Sequence, residues 1–460
     1  MVFTLVALGT AAAQSGPRRY VITSSGAVGD GQASNTKAIQ GLIDKVALEG
    51  GGTLVVPAGT FVTGALFFKQ GVNLSIDKGG VLKGSLNPDD YPQVMTRWEG
   101  IDREWTSALL NFTGMTDVEL SGEGTVDGSG DMWPGARGGF GRGPQGRPPR
   151  EGAGVAPPPG AAVAPREGAG APPPQGAAVP PHQGAAAQVT AAPPRPRVGR
   201  PRMICFQNCK RVRIANLRLR QQPVWCIHIL YSEDVLIDGV NITADHNIPS
   251  SDGIDIDSSN RVRVNNVDID VNDDCISIKS GKDEDGLRVN RPAENIVIEN
   301  SRFHYGHGGV AMGSETSGGI RNVEVRNCVS DADNWAPIRF KTQPSRGGVV
   351  ENIIYRDMQL KDTRQAFEFN LEWRMVPPIA PPAKVLPVVR NITIRNITGT
   401  VKSVGMMHGL VGSPIENVKF ENCRISAQRG FVMENARKVD LSGLTVEVKE
   451  GEPITRRNVQ

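Results

Sequence analysis

A six-residue pattern, apolar-x-apolar-x-polar or Gly-x, recurs eleven times along the chain. It reads VNLSID at 72, VELSGE at 118, VRIANL at 212, VLIDGV at 235, VRVNNV at 262 and IVIENS at 296. It continues as VEVRNC at 323, IIYRDM at 353, ITIRNI at 392, VKFENC at 418 and VDLSGL at 439. From 212 onward the starts lie 23, 27, 34, 27, 30, 39, 26 and 21 residues apart. Alternation places the apolar residues on one face of a strand, and recurrence every 20 to 40 residues signals a solenoid. Helical repeats tolerate less variation in spacing, whereas stacked coils absorb it in loops. The expected fold is all-β, a right-handed parallel β-helix, with Ile and Val stacked inward and Asn side chains at the bends joined in ladders. A leucine-rich horseshoe would need Leu at fixed offsets, and Leu is not the repeated residue.

Ahead of the coils, Ile39, Leu42, Ile43 and Val46 recur at helical spacing between Asn35 and Leu48, with Ser34 or Asn35 as N-cap and Gly50–Gly52 as the stop. This predicts an N-terminal helix that caps the solenoid. Residues 135–200 break the pattern: they are rich in Gly, Pro, Ala and Arg and contain a near-copy, PREGAGVAPPPGAAV at 149 and PREGAGAPPPQGAAV at 165. With few large apolar side chains, such a segment cannot offset its ordering entropy, so it reads as a disordered insertion. The organisation expected is a signal peptide over 1–13, N-terminal coils over 14–134, the insertion, and catalytic coils of the same solenoid over 201–460. The apolar start ending Ala-Ala-Ala13 suggests a secreted or periplasmic protein, although a basic n-region is missing.

Net charge is +3, which gives no global field toward nucleic acid, and no apolar run is long enough to span a bilayer. Six cysteines in 460 residues do not make a disulfide framework, though Cys205 and Cys209 are close enough in sequence to pair.

The chemistry concentrates elsewhere. Seven aspartates (252, 255, 257, 268, 270, 273 and 274) fall within 23 residues. Crowded like charges cost stability, so proton transfer, a metal site or acidic turns must account for them. One coil on, His307 stands among glycines in Gly306-His307-Gly308-Gly309. A further coil on comes Ile338-Arg339-Phe340-Lys341. Strand alternation points Ile338 and Phe340 inward and Arg339 and Lys341 outward, side by side, where two cations suit a carboxylated ligand. The intervals from Asp252 to Asp273, Asp274 to His307 and His307 to Arg339 each resemble one coil, which predicts a vertical stripe on rungs ~4.8 Å apart.

These residues resemble the polygalacturonases, family 28 of the glycoside hydrolases, from about residue 18 to the C-terminus apart from the insertion. The resemblance is carried by the Gly-Gly-Gly-Thr-x-Val-Val-Pro-Ala-Gly run at 50–59, Ser-Asp-Gly-Ile-Asp-Ile-Asp at 251–257 and Asp-Asp-Cys-Ile-Ser-Ile-Lys-Ser-Gly at 273–281. Gly-His-Gly-Gly at 306–309, Gly-Ser-Glu at 313–315 and Arg-Phe-Lys at 339–341 complete it. The run after Gly313 is most similar to exo-acting members. The resemblance implies inverting hydrolysis of α-1,4-linked galacturonic acid in pectin by a monomer without cofactor or metal, acting on polygalacturonate or oligogalacturonides. It implies Asp273 as general acid, Asp252 and Asp274 as the carboxylates that activate water, and His307 as support for the acid's protonation. Arg339 and Lys341 would bind the substrate carboxylate. An inverting pair is expected ~6.5–9.5 Å apart.

The pattern departs in Ser250-Ser251 before Asp252, where the family has Asn-Thr, and in Asn272, where it has Gly. A rhamnogalacturonan-type galacturonohydrolase therefore stays open as the substrate alternative, and a calcium-dependent pectate lyase or a non-catalytic polysaccharide-binding β-helix as other classes. Asp255 and Asp257 are expected to cap bends or face solvent, and His228, His246 and His304 to be structural. Lys279 has the parity to face the cleft, and Glu315 is read either as a substrate contact or as an acceptor of backbone amides.

Overall fold

The computed structural model describes residues 18–133, 199–374 and 380–460. The expectations for residues 1–13 and for most of the Gly/Pro/Ala-rich segment fall outside the described residues.

The repeat is a column of side chains. Val118 pairs with Val212, then Val235, Val262, Ile296, Val323, Ile353, Ile392, Val418 and Val439 follow in parallel register, one residue per coil. All but Val439 are buried, and each such burial is worth roughly 1.5–3 kcal/mol. The fold is thus a parallel β-helix. Leu110–Thr113 pairs directly with Ile204–Gln207, so the coils on either side of the long insertion are neighbours in the stack.

A typical coil has three strands. Ile254–Asp257, Asn260–Asn265 and Asp268–Asp270 form one, and Asp274–Lys279 opens the next by pairing with Ile254–Asp257. The bends carry the expected amide ladder. Asn295 donates to Asn260, Asn322 to Asn295, Asn352 to Asn322, Asn391 to Asn352 and Asn417 to Asn391. Asn295, Asn322, Asn352, Asn391 and Asn417 have positive φ, which Asn tolerates better than other side chains, so one residue type both turns the chain and bonds the turns together.

The helix Thr36–Leu48 forms where expected and buries Ile39, Leu42, Ile43 and Val46 against the first strands. Asn35 does not cap it through its side chain. Its amide bonds the Val28 backbone and the Ala33 carbonyl instead. All six cysteines are free and buried, Cys205 and Cys209 included.

One element departs from the coils. Gln93–Trp98 and Ile101–Thr106 form a two-stranded antiparallel hairpin. It rises from a corner of an N-terminal coil and lies over the outer face of later ones.

Candidate active site

The first strand of each coil builds one wall from Ile204–Gln207, Ile227–Leu230, Ile254–Asp257, Asp274–Lys279, Gly308–Met312 and Ile338–Lys341. The corners feeding these strands carry Asp252, Asp273, Asp274 and His307. Oxygens of Asp252, Asp273 and Asp274 lie within 4.8 Å of one another. That is closer than the separation expected of an inverting pair.

The three acids differ in access. Asp274 is fully buried and Asp252 is 3% exposed, whereas the Asp273 side chain is 24% exposed. Of the three, Asp273 has the most accessible carboxyl. It sits 3.2 Å from Nδ1 of His307, whose backbone N–H also donates to the Asp273 carbonyl. Asp274 accepts from Nη1 of Arg339 at 3.2 Å and from the Lys341 ammonium. Among the described residues no hydrogen-bond donor reaches the Asp252 carboxyl.

These surroundings separate the proton affinities. Burial, reinforced by Asp255 and Asp273, pushes Asp252 well above the ordinary carboxylate range. Burial also acts upward on Asp273, but the charge and hydrogen bond of His307, with Lys341 and Arg339, hold it well below that range. In the free protein, then, contact with His307 favours the ionised form of Asp273.

The stripe is assembled by reach rather than by strict stacking. Arg339 pairs in register with Ala311, not with His307. Its long side chain runs back along the wall to Asp274 and to the His307 carbonyl at 3.1 Å. Gly308 makes this possible, because a Cβ there would lie 2.8 Å from Asp274 Oδ1 and 3.2 Å from Arg339 Cδ. A Cβ on Gly306 would lie 2.8 Å from the Asp273 carbonyl oxygen. These glycines make room for the protein's own side chains and backbone. Ser251 offsets part of the departure noted before Asp252, since its hydroxyl accepts the Asn272 N–H at 3.2 Å and ties the two acidic corners together.

Asp255 and Asp257 do not face solvent. Both point outward from the wall yet are completely buried, because the hairpin and loops cover that face. Asp257 binds Nη1 of Arg97, from the hairpin, at 2.8 Å. Asp255 lies 3.6 Å from Lys279 Nζ, which donates to Glu315 at 3.1 Å and sits 4.9 Å from the Trp225 ring centre. Glu315 is therefore an ion-pair partner. His228 is buried under the hairpin with Nδ1 2.6 Å from Arg202 Nη1. Arginine only donates, so the imidazole proton is on Nε2, aimed at Asp257 Oδ2 3.5 Å away. Burial and two neighbouring arginines press His228 down to about 4, against the pull of Asp257.

The hairpin closes the wall on the N-terminal side. Trp98 stacks on Trp105 and packs against Trp225, both with ring centres 4.9 Å away, and Asp102 accepts from Tyr231. At its tip, Gly100 (φ +80°) accepts from the Lys282 N–H, and a Cβ there would strike Lys282 and Glu315. The sequence signal was the interval of 46 residues between Val72 and Val118, two positions stacked on adjacent coils. On the other side of the acids stand three residues the motifs did not single out: Glu368, with Oε2 2.8 Å from Arg339 Nε, and the half-buried Trp335 and Trp373. Glu368 occupies the next outward position after Arg339 in register, so the same alternation that exposed Arg339 reveals it.

A family model for glycosyl hydrolases family 28 matches residues 185–444. The chain is 28% identical to a "Probable polygalacturonase" of Vitis vinifera, over 87% of this chain and 72% of that protein. It is 27% identical to an exo-poly-alpha-D-galacturonosidase of Dickeya chrysanthemi, over 84% of this chain and 63% of that protein, less than two thirds of its length. Among solved structures, the hyperthermoactive exopolygalacturonase of Thermotoga maritima superposes with a TM-score of 0.73 at 26% identity, covering 94% of this chain and 93% of that one. The family 28 exopolygalacturonase of Yersinia enterocolitica, at 22% identity and a TM-score of 0.76 over 97% of this chain and 78% of that one, shares the fold.

Proposed function

The chain belongs to glycosyl hydrolases family 28, and from that membership we propose that it hydrolyses α-1,4-linked galacturonan from a chain end. The observation that carries the reading is the union of the three converging carboxylates with a wall closed by the hairpin on one side. A closed end favours a terminal sugar over the middle of a polymer.

Asp273, the accessible carboxyl, gives its proton to the leaving glycosidic oxygen. The substrate's carboxylate engages Arg339 and Lys341. After His307, both cations depress Asp273 in the free protein, so their engagement by the substrate raises its proton affinity and favours the cluster's proton on Asp273 over Asp252. Asp252, then ionised, accepts a proton from water while the water oxygen bonds to the anomeric carbon and the bond to the leaving oxygen breaks. Two hydrogen bonds of ~2.8 Å at the tetrahedral angle span ~4.6 Å. A separation within 4.8 Å therefore suits one water held between Asp252 and Asp274. His307 holds Asp273 in place. The position of a buried Asp274 under two cations speaks against a calcium-centred lyase, because those cations already neutralise its charge.

A wall polymer as substrate supports a secreted or periplasmic protein, and the direct pairing of Leu110–Thr113 with Ile204–Gln207 supports one catalytic solenoid built from the described residues on either side of the long insertion. The test is digestion of polygalacturonate. Reducing ends should accumulate without ultraviolet-absorbing unsaturated product, and growth of the unsaturated signal would overturn the reading in favour of a lyase.

A further inference from the structure

The hairpin turns in two residues, since Trp98 and Ile101 are its last paired positions. Glu99 and Gly100 both have left-handed backbone, at φ +44° and +80°. Such a turn favours Asn or Gly at its first place, so a glutamate is held there at a steric cost. The tip is anchored to the far bank of the wall. Gly100 is buried, accepts from the Lys282 N–H at 2.9 Å and packs against the Glu315 side chain. Glu99, by contrast, is exposed, and among the described residues no hydrogen-bond donor reaches its carboxyl. The protein around it and the Glu315 charge still raise its proton affinity, with Lys282, Lys279 and Arg103 acting against them. A group both open to solvent and surrounded lies in a concavity. The acids border the same one, because the Lys279 ammonium that acts on Glu99 also acts on Asp252.

The order of the acids sets the direction of a bound chain. Asp252 belongs to the coil before that of Asp273, on the hairpin side. Inversion puts the attacking water and the leaving oxygen on opposite faces of the anomeric carbon. With water at Asp252 and the leaving oxygen at Asp273, the sugar that is attacked lies toward the hairpin and the rest of the chain toward Arg339 and Lys341. The unit at the closed end is then the non-reducing terminus. Its C4 hydroxyl stands across the ring from the anomeric carbon and is free only in a terminal unit.

We propose that Glu99 is a specificity-determining residue that accepts a hydrogen bond from this free C4 hydroxyl, so that the protein takes saturated chain ends and rejects the 4,5-unsaturated ends that lyases leave. The proposal rests on the galacturonan reading. A 4,5-unsaturated unit has no C4 hydroxyl and leaves the carboxyl without its partner, the kind of mismatch that a site built to bond a hydroxyl rejects most strongly. Lys279, Lys282 and Arg103, all acting on Glu99, supply the positive charge that a terminal uronate needs beside an acid.

The test compares tetragalacturonate with its 4,5-unsaturated counterpart in the native protein, Glu99→Ala and Glu99→Asn. Asn suits the first place of this turn better than Glu, so Glu99→Asn withdraws the carboxyl while the hairpin stays and the melting temperature does not fall. The native protein should favour the saturated tetramer by about tenfold or more in kcat/KM. Each variant should lose about tenfold or more on the saturated tetramer and little on the unsaturated one, so that the preference collapses. Equal losses on the two tetramers, or no loss on either, would overturn the proposal. A native protein that cleaves both tetramers equally well keeps the galacturonan reading and removes this one. A native protein that cleaves neither removes both.

Discussion

Arg97 Nη1 and Asp257 Oδ1 meet at 2.8 Å with both side chains fully buried, and this contact fastens the hairpin to the wall of the solenoid. The pair belongs to a larger cluster. Arg97 Nε binds Asp102 at 2.9 Å, and Nη1 of Arg202 holds the Arg97 carbonyl at 3.2 Å as well as His228.

Removing one member of a buried pair leaves the other uncompensated, at about 3–5 kcal/mol. Arg97→Ala should therefore lower the unfolding free energy by that order in denaturant titration. It should also loosen the closed end, so that products shift from monomer toward mixed oligomers. Unchanged stability and product size would separate the hairpin from end selection.

Acid should weaken the same cluster. His228 is depressed to about 4 in the folded protein against about 6.5 unfolded, so between those values the unfolded chain binds the extra proton. Its contribution, on the order of 3 kcal/mol, is present above pH ~6.5 and declines as pH falls toward 4. Asp257, held below the ordinary range despite its burial because Arg97 and His228 favour its charged form, stays ionised through that window and adds its own loss only at lower pH. Stability measured from pH 7 to 4 should fall, and His228→Gln should flatten the slope.

Asp273→Asn retains the shape of the accessible carboxyl but cannot donate the proton. It should reduce kcat by about 10²–10⁴ while oligogalacturonide binding persists. Unchanged turnover would remove Asp273 as the acid.

Lys341→Met keeps the length of the side chain and deletes one of the two cations on Asp274. KM for galacturonate oligomers should rise by about tenfold or more, since a charge-assisted contact is worth ~1.5–3 kcal/mol, and the variant should lose much of the preference for free over methyl-esterified uronate. A chelator should leave activity of the native protein unchanged.

The coils were legible because one side chain per coil repeats a single physical demand, an apolar group facing the axis. The column from Val118 to Val439 follows directly from the alternation. Arg339 and Lys341 were legible by the same parity, as outward neighbours of Ile338 and Phe340. What alternation could not give was burial. Asp255 and Asp257 have outward parity, and outward ordinarily means solvent, but the hairpin lies over them from a coil more than 150 residues earlier in the chain. Nor could coil arithmetic place Arg339, because a long side chain crosses rungs and joins Asp274 from a strand paired elsewhere. The glycines around His307 clear the protein's own Asp273 carbonyl, Asp274 and Arg339, neighbours that only the folded wall brings to them.

The size of the first products of homogalacturonan digestion tests the central claim most directly. With the hairpin closing one end beside Asp252, Asp273 and Asp274, monomeric galacturonate should be the sole small product from the earliest time points, while polymer length declines slowly. An early ladder of di-, tri- and longer oligomers with rapid loss of viscosity would contradict it.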